Sequence, residues 1–383
     1  MFRFLTAGES HGKGLVAIIE GMPAGMALNE EYIARDLARR QKGFGRGARM
    51  AIERDRAEII SGVRHGLTIG SPISLLIWNK DWENWQEIMS VSPVKQEIEP
   101  VTRLRPGHAD LPGTMKYNLD DVRPIMERAS ARETASRVAV GAVARKLLDQ
   151  FGIEIHSQTV CIGGHWAKQV KKVDWSRVEK SPVRCADSKV GKAMLSAIDE
   201  AQKTGDSLGG VFEAIASGIP IGLGSHVHWD RRLDGRIAQA MLSINAVKGV
   251  EIGAGFSVAN LPGSQVHDII EPDAKRRWQH ATNRAGGIEG GMSNGEPIIV
   301  RTAVKPIPTM SKPLPSVDLR TGEKVEAHFE RSDICVVPAA GVIGEAMLAI
   351  VLAEAVLEKF GGDHIDETLR NYRGYLKSIG PRK

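Results

Sequence analysis

The strongest constraint on the fold of this chain is a long apolar stretch near its end, VIGEAMLAIVLAEAVLEKF, residues 342–360. Three acidic residues interrupt it, Glu345, Glu354 and Glu358. The stretch is therefore too short and too charged to cross a bilayer, which takes about 20 apolar residues in a row. A helix that is apolar on nearly every side has to be enclosed by other elements. The stretch predicts a buried core helix and no membrane segment.

Composition indicates an ordinary globular protein. The chain has 383 residues, of which 42% are hydrophobic and 25% charged, enough for two domains or one large domain with insertions. The opening MFRFLTAGESHGKG has no apolar run typical of a secretory signal. Cys161, Cys185 and Cys335 are scattered without metal-ligand spacing, so we expect reduced, buried thiols. We therefore expect a cytoplasmic protein with no bound metal.

The positive charge of the chain indicates an anionic partner. The net charge is +5 and the pI about 9.0, which fits a nucleic acid, a membrane or a small phosphorylated substrate. Arginines cluster beside glycines in ARRQKGFGRGARM, residues 38–50. An RNA-binding loop is one interpretation, but the segment has no repeats and Phe44 is its only aromatic residue. We therefore expect no nucleic-acid partner.

Periodicity and turn residues predict a mixed α and β chain. Helices are expected at 29–41 with Asn29 as N-cap, at 118–152 with Asp120 or Asp121 as cap and Gly152 at the end, at 188–203 inside a polar excursion near 165–205, and at the start of 233–253. Strands are expected at the N-terminus, twice or more within 57–79, at 153–164, within 209–224, at the end of 233–253 and at 297–304. Glycine-rich and proline-rich loops are expected at 283–295 and 305–315. The glycine spacing matches neither a Rossmann nor a P-loop motif.

Two histidines lie in glycine-containing loops. His11 occurs in GESHG and His108 in RPGHAD. Because imidazole titrates near neutral pH, either ring could give a proton to a leaving group. The alternative is a hydrogen-bonded loop histidine for His11 and a turn histidine paired with Asp110 for His108. A serine hydrolase is not indicated, since Ser10 is not part of a GxSxG motif.

Two further clusters carry charge. Arg128 and Arg132 would share one face of the predicted helix, bound either to an anionic ligand or to Glu127 and Glu133. In ERSD, residues 330–333, the arginine and the aspartate would point to one face of a strand, as a cation with a base or as a surface ion pair. The proline-containing segment 301–314 could line a flat ligand.

Nine motifs together resemble one family. GESHGKG, GRGARM, RPGHAD, RASARETASRVAVGA, GDSLGG, INAVKGVEIG, GGIEGGMSNGEPI, KPIPT and RSD occur in the order typical of the chorismate synthase family and span nearly the whole chain. The resemblance implies conversion of 5-enolpyruvylshikimate 3-phosphate to chorismate and phosphate by a 1,4-anti elimination. It implies a need for reduced FMN without net redox change.

The resemblance also implies an architecture. We expect an α+β fold in which a helical layer lies between antiparallel sheets, a β-α-β sandwich, as a single domain over 1–383 with pseudo-repeated halves near 1–160 and 205–360. A homotetramer is implied.

No reductase domain is visible in the sequence, so we expect reduced flavin from an external flavin reductase, with NADPH as a candidate reductant. A flavin oxidoreductase with net hydride transfer is the nearest alternative.

Carried over motif by motif, the resemblance assigns roles. His11 would protonate the departing phosphate, His108 would protonate or hydrogen-bond the reduced flavin, and Asp333 would help flavin N5 remove the ring proton. The residues implied for the substrate are Arg40, Arg46, Arg49, Arg132 and Arg331, with NADP as an alternative ligand of Arg40 and Arg46. The residues implied for FMN are Arg128, Ala129, Ser130, Asn245, Ala246, Gly290, Lys305, Pro306, Ile307, Pro308, Thr309 and Arg331. Ala48 and Ala129 replace residues that are usually glycine and serine in the family.

Overall fold

The computed structural model describes residues 2–47, 54–168, 172–273, 277–330 and 332–379. Its helices are α1 Glu30–Gln41, α2 Asp110–Tyr117, α3 Arg123–Arg128, α4 Thr134–Asp149, α5 Trp175–Lys180, α6 Ser188–Thr204, α7 Leu233–Leu242, α8 Gly263–Val266, α9 Val337–Phe360 and α10 Ile365–Ser378. Its strands are β1 Arg3–Ala7, β2 Gly14–Glu20, β3 Glu58–Ser61, β4 Val63–Arg64, β5 Leu67–Thr68, β6 Ile73–Trp78, β7 Glu154–Ile162, β8 His165–Trp166, β9 Gly210–Ser217, β10 Val247–Ile252, β11 Ile270–Asp273, β12 Arg277–His280, β13 Ile288–Glu289, β14 Met292–Ser293, β15 Ile298–Val304, β16 Pro315–Val317 and β17 Lys324–Glu326. Short 3₁₀ turns cover Lys80–Asn84, Ala131–Glu133, Trp229–Arg231 and Gly255–Asn260.

Two antiparallel sheets contain most of the longer strands. The first has the order β1-β2-β6-β3 and the second β10-β15-β9-β7-β8. In β2, Leu15, Ala17 and Ile19 are buried and alternate with more exposed residues, because successive side chains of a strand point to opposite faces. The antiparallel strands predicted within 57–79 are confirmed, since β3 pairs with β6.

Two long helices pack against each other and against the two sheets. Helix α4 packs against β2 and against α9, and α9 packs against β7 and β9. A Cβ on Gly141 of α4 would lie 2.3 Å from the Cβ of Ala346 in α9, so the absent side chain allows this close approach. One hydrophobic cluster extends from Phe2 to Ile365. The α+β class is confirmed.

The predicted buried helix is confirmed and is longer than expected. It begins at Val337, with Pro338 in its first turn, rather than at residue 342. Its length and composition would suffice to cross a membrane, but 94% of its most apolar window is buried inside the protein. Enclosure by α1, α4, α7 and the second sheet explains the apolar composition on all sides.

Several local signals are also confirmed. The Asn29 side chain accepts a hydrogen bond from the Tyr32 amide at 2.9 Å and caps α1. Gly152 ends the turn after α4 with φ +71°, a conformation that favours glycine. The expected helix near 188–203 is α6, but the excursion also contains α5, which the sequence analysis missed. Helix α5 has only six residues, capped by Asp174, and is too short to show a periodic pattern.

The single helix predicted over 118–152 is wrong. The chain forms α3, a 3₁₀ turn and α4, because Ser130 adopts an extended conformation with φ −62° and ψ 142° and its hydroxyl accepts from the Arg132 amide at 3.3 Å. A serine that caps a following turn restarts the helix in a new direction. Asp121 does act near the start, accepting from the Arg123 amide at 2.9 Å.

Candidate active site

The His11 loop is a tight connection between β1 and β2. Asn79 lies at the end of β6. Its side-chain NH₂ donates hydrogen bonds to the carbonyls of Glu9 at 3.0 Å and Gly12 at 2.8 Å, which fixes the conformation of the loop. The His11 side chain is 13% exposed, and its Nδ1 lies 2.9 Å from Oε1 of Glu127. The ring stacks on Trp85, with centroids 3.9 Å apart and planes inclined by 19°. His11 is therefore both hydrogen-bonded and partly accessible.

A buried ion-pair cluster supports this loop. Arg132 donates from Nε to the Asn79 side-chain oxygen at 2.9 Å and from Nη1 to Asp55 at 2.5 Å. Arg40 is 3% exposed and donates to Thr134 at 3.0 Å, to the Ala131 carbonyl at 2.9 Å and to Asp55 at 3.4 Å. Both predicted substrate arginines are thus bound largely by protein groups.

The charge balance of this cluster affects Arg40 directly. Burial lowers the pKa of Arg40 to about 10; Asp55 opposes this shift, while nearby Arg46 and Arg132 add to it. The pKa of arginine is normally about 12.5 or higher, so the side chain usually stays protonated well above pH 10. Arg40 therefore lies close enough to Arg46 and Arg132 for their positive charges to repel its own.

Arg46 and Asp333 form the next part of the site. Nη1 of Arg46 lies 3.0 Å from Oδ2 of Asp333, and the Gly47 amide donates to Oδ1 at 2.5 Å. Both residues line a cavity of about 560 Å³ together with Thr309, Phe44 and other residues. The predicted Arg49 and Arg331, and Ala48, lie outside the described residues. Residues 330, 332 and 333 of ERSD do not lie in a strand.

The His108 turn matches the turn-histidine arrangement. Nδ1 of His108 hydrogen-bonds Asp110, and Arg105 forms two ion-pair contacts with the same carboxylate at 2.9 and 3.0 Å. Burial alone would raise the pKa of Asp110, but the hydrogen bonds from His108 and Arg105 hold it well below its usual range. Lys305 donates to the Gly107 carbonyl at 2.9 Å, so the turn contacts the predicted flavin segment 305–309.

The predicted flavin residues 128–130 lie beside the His11 loop. Arg128 donates to the Gly8 carbonyl at 3.0 Å, and the Ser130 hydroxyl contacts Ser10 at 3.2 Å. Asn245 donates to the Ala129 carbonyl at 3.0 Å, which brings the segment 245–246 to the same place. Loops distant in sequence therefore converge here.

The predicted common face of Arg128 and Arg132 is wrong, because the helix ends between them. Arg128 is exposed whereas Arg132 is buried. Among the described contacts, Glu127 and Glu133 do not neutralise these two arginines. Glu127 pairs with His11 and Arg123, and Glu133 pairs with Arg137.

Gly290 lies in a separate turn. It sits between β13 and β14 with φ +56°. The described contacts of that hairpin lead to Gly224 and Leu233 rather than to the loops around His11. Its predicted contact with flavin stays a prediction.

Sequence reasoning missed four residues that organise the site: Glu127, Asn79, Asp55 and Trp85. From the sequence, Glu127 is expected only as an acidic neighbour that could neutralise Arg128 and Arg132. The other three lie in segments with no motif of their own, and no sequence signal connects them to His11 or Arg132 because the contacts join distant parts of the chain.

Comparisons with known proteins show the family to which the chain belongs. The family model described as chorismate synthase matches residues 2–357. A chorismate synthase from Moorella thermoacetica is 58% identical over 99% of this chain and 100% of its own length, and one from Desulforudis audaxviator is 56% identical over 99% and 98%. A crystal structure of chorismate synthase matches with a TM-score of 0.80 and 46% identity over 98% of this chain and 97% of that chain. The chain therefore belongs to the chorismate synthase family, the lyases that form chorismate in the shikimate pathway.

Proposed function

We propose that this chain converts 5-enolpyruvylshikimate 3-phosphate to chorismate and phosphate by 1,4-anti elimination with reduced FMN. The observation that carries the proposal is one connected site in which a histidine, a carboxylate and three clustered arginines meet. The substrate has a phosphate and two carboxylates, so it requires several cations for binding. The loop of His11 and the arginine cluster are joined through Asn79.

Each residue has a separate task in this proposal. Arg46 binds an anionic group of the substrate in the cavity that it shares with Asp333. His11 donates a proton to the phosphate as its bond to the ring carbon breaks. Asp333 assists removal of the ring proton, so a second double bond forms and no net oxidation occurs. Bound reduced FMN supplies electron density to the allylic system during this cleavage.

The residues predicted to bind FMN fit a flavin. Asn245 Oδ1 is buried and has no hydrogen-bond partner among the described residues, and an isoalloxazine ring offers an N–H donor for such an acceptor. Burial lowers the pKa of Lys305, and Lys248 lowers it further. Two neighbouring lysines suit the phosphate of FMN. These features support placing FMN between the segments 128–130, 245–246 and 305–309.

We propose the remaining organisation from the family resemblance. Helices α4 and α9 would form the middle layer of a β-α-β sandwich with pseudo-repeated halves, and four copies would form a tetramer in the cytoplasm. Leu5, Ile18 and Trp78 support assembly, because they lie on one face of the first sheet and are 72%, 47% and 52% exposed. Reduced flavin would come from a separate reductase, with NADPH as a candidate reductant.

Anaerobic turnover tests the function. Purified protein, photoreduced FMN and 5-enolpyruvylshikimate 3-phosphate are mixed, and chorismate absorbance and free phosphate are followed together. We expect equal release of both, with many turnovers for each flavin. No release by folded protein with reduced flavin would overturn the proposal. NADPH consumption matching product formation would instead indicate the flavin oxidoreductase, and turnover in air with oxidised FMN and NADPH would show reductase activity in this chain.

Variants test the two proton-transfer residues. We expect His11→Ala to lower kcat by about 10²- to 10⁴-fold, the usual contribution of a general acid, with much less change in flavin affinity. Asp333→Asn should stop loss of the ring proton while substrate still binds, because the amide cannot accept that proton. Solvent isotope exchange at the ring carbon and flavin titration measure these effects. Near-normal kcat in either variant would remove that residue from the mechanism.

A further inference from the structure

Glu127 is the residue that fixes His11. Its Oε1 lies 2.9 Å from His11 Nδ1, and its Oε2 accepts the His11 backbone N–H at 2.8 Å. The Glu127 carbonyl accepts the Ser10 amide at 3.1 Å. The carboxylate is 1% exposed, so water competes little for these bonds. One residue therefore fixes both the backbone and the ring of the proposed acid.

Trp85 restricts the same ring from its face. The indole stacks on His11 at 3.9 Å and is itself anchored by donation from Nε1 to Asp81 at 3.1 Å. Stacking sets the plane of the imidazole but does not distinguish its two nitrogens. The choice of nitrogen is therefore left to the hydrogen bond with Glu127.

Arg123 provides the charge that a buried carboxylate needs. Its Nη1 lies 3.3 Å from Glu127 and 2.7 Å from Glu330. Burial would raise the pKa of Glu330, but hydrogen bonds from His328 and Arg123 lower it to about 2. Arg123 thus bridges two acidic groups, and the Glu127–His11 contact is part of a balanced network rather than an isolated buried charge.

We propose that Glu127 is the positioning residue for His11 and selects its tautomer; this rests on the proposed function. A carboxylate can only accept, so the ring must carry a proton on Nδ1. The doubly protonated ring then gives its Nε2 proton to the phosphate oxygen as the carbon–oxygen bond breaks. The neutral ring that remains is the Nδ1–H tautomer, which Glu127 already binds, so no reorientation accompanies the transfer.

Glu127→Gln tests this selection with little change in shape. The Gln oxygen is expected to accept the His11 backbone N–H, which turns its NH₂ towards Nδ1 and favours the Nε2–H tautomer. We expect kcat to fall by about 10- to 100-fold, with the KM for substrate within about twofold, because general acid catalysis is worth about 10²- to 10⁴-fold in all. Glu127→Asp keeps the charge and should recover part of the loss.

Nitrogen NMR gives a readout that a purely structural role would not change. In ¹⁵N-histidine-labelled protein at alkaline pH, His11 should be the Nδ1–H tautomer in wild type and the Nε2–H tautomer in Glu127→Gln. Glu133→Gln is the matched control, because Glu133 is also buried and pairs with an arginine, Arg137, at 2.9 Å. The control should keep the wild-type tautomer.

Combination with His11→Ala completes the test. If Glu127 acts through His11, Glu127→Gln should lower kcat little further in the His11→Ala background. An equal loss in both backgrounds would overturn the proposal, as would the Nδ1–H tautomer in both wild type and Glu127→Gln. Absence of chorismate formation by wild type would contradict the proposed function instead, and the tautomer comparison would still decide whether Glu127 selects the state of His11.

Discussion

Arg40 and Arg46 lie six positions apart but differ in what surrounds them. The hydrogen bonds of Arg40 go to Thr134, to the Ala131 carbonyl and to Asp55, and the residue is 3% exposed. Arg46 instead pairs with Asp333 on the wall of the cavity. We therefore propose two purposes for the same residue type: Arg40 supports the site from within the protein, and Arg46 meets a ligand in the cavity.

Substitution by alanine should separate these purposes. We expect Arg40→Ala to lower the free energy of unfolding by about 1–3 kcal/mol, because buried hydrogen bonds to Thr134, the Ala131 carbonyl and Asp55 are lost while Asp55 keeps Arg132. Arg46→Ala should raise the KM for 5-enolpyruvylshikimate 3-phosphate or weaken its binding, with a smaller change in stability. Urea unfolding and steady-state kinetics on both variants measure the contrast. Unchanged KM and substrate affinity in Arg46→Ala would place Arg46 outside the substrate site.

At the scale of elements, the sequence predicted most of the longer helices and strands. Caps such as Asn29 and the alternation of buried residues in β2 are local, and each element carries its own signal. The break at Ser130 was missed because alanine, serine and arginine on both sides suit a continuous helix. The extended Ser130 conformation accompanies contacts with Ser10 and, through Ala129, with Asn245, which belong to other segments.

The site could be predicted only in part for the same reason. Motifs indicated His11, Arg46 and Asp333, and the structure brings the last two together in one cavity. Glu127 and Asn79 act on the His11 loop across large separations in the chain, and no spacing rule connects them. Tertiary contacts of this kind are absent from a single sequence.

The close contact between α4 and α9 depends on a glycine, Gly141, which has no side chain. A Cβ on Gly141 would lie 2.3 Å from the Cβ and 2.5 Å from the Cα of Ala346, so one helix would have to move. We expect Gly141→Ala to lower the free energy of unfolding by about 1–3 kcal/mol, the usual cost of overpacking, even though alanine favours helices. Thermal and urea unfolding measure the change.

Gly374 in α10 is the matched control for this variant. A Cβ there would meet nothing within 4 Å, and the position is exposed. Gly374→Ala should therefore stabilise the protein by about 0.5–1 kcal/mol through helix propensity alone. Equal stabilisation by both substitutions would contradict the close approach of α4 and α9.

At the scale of the whole molecule, Glu345 connects parts of the chain that are far apart. This residue of α9 is completely buried and lies 2.7–2.8 Å from Arg39 of α1 and 2.8 Å from Arg145 of α4. It also accepts hydrogen bonds from Ser157 of β7 at 2.6 Å and from Arg184 at 3.2 Å. The acidic residue that argued against a membrane helix is the centre of an ion-pair network in the core.

The network should make stability depend on pH in a defined window. Burial alone would raise the pKa of Glu345, but the three arginines lower it to about 2, below the usual 4.5. The folded state therefore prefers the carboxylate more than the unfolded state does. Its stabilisation is complete above about pH 5 and is lost as the pH falls from there towards 2. A difference of this size corresponds to about 3 kcal/mol.

Glu345→Gln tests this dependence directly. At pH 7 we expect it to lower the free energy of unfolding by about 3–5 kcal/mol, because Arg39, Arg145 and Arg184 lose the anion that they share in the core. The difference from wild type should shrink as the pH falls from 5 to 3, since protonation removes the same charge from wild type. Urea unfolding at several pH values measures both effects.

Glu20→Gln is the control, because its ion pair with Arg3 is exposed and should change stability by less than about 1 kcal/mol at any pH. A difference between Glu345→Gln and wild type that stays constant down to pH 3 would contradict the lowered pKa and assign the loss to packing alone.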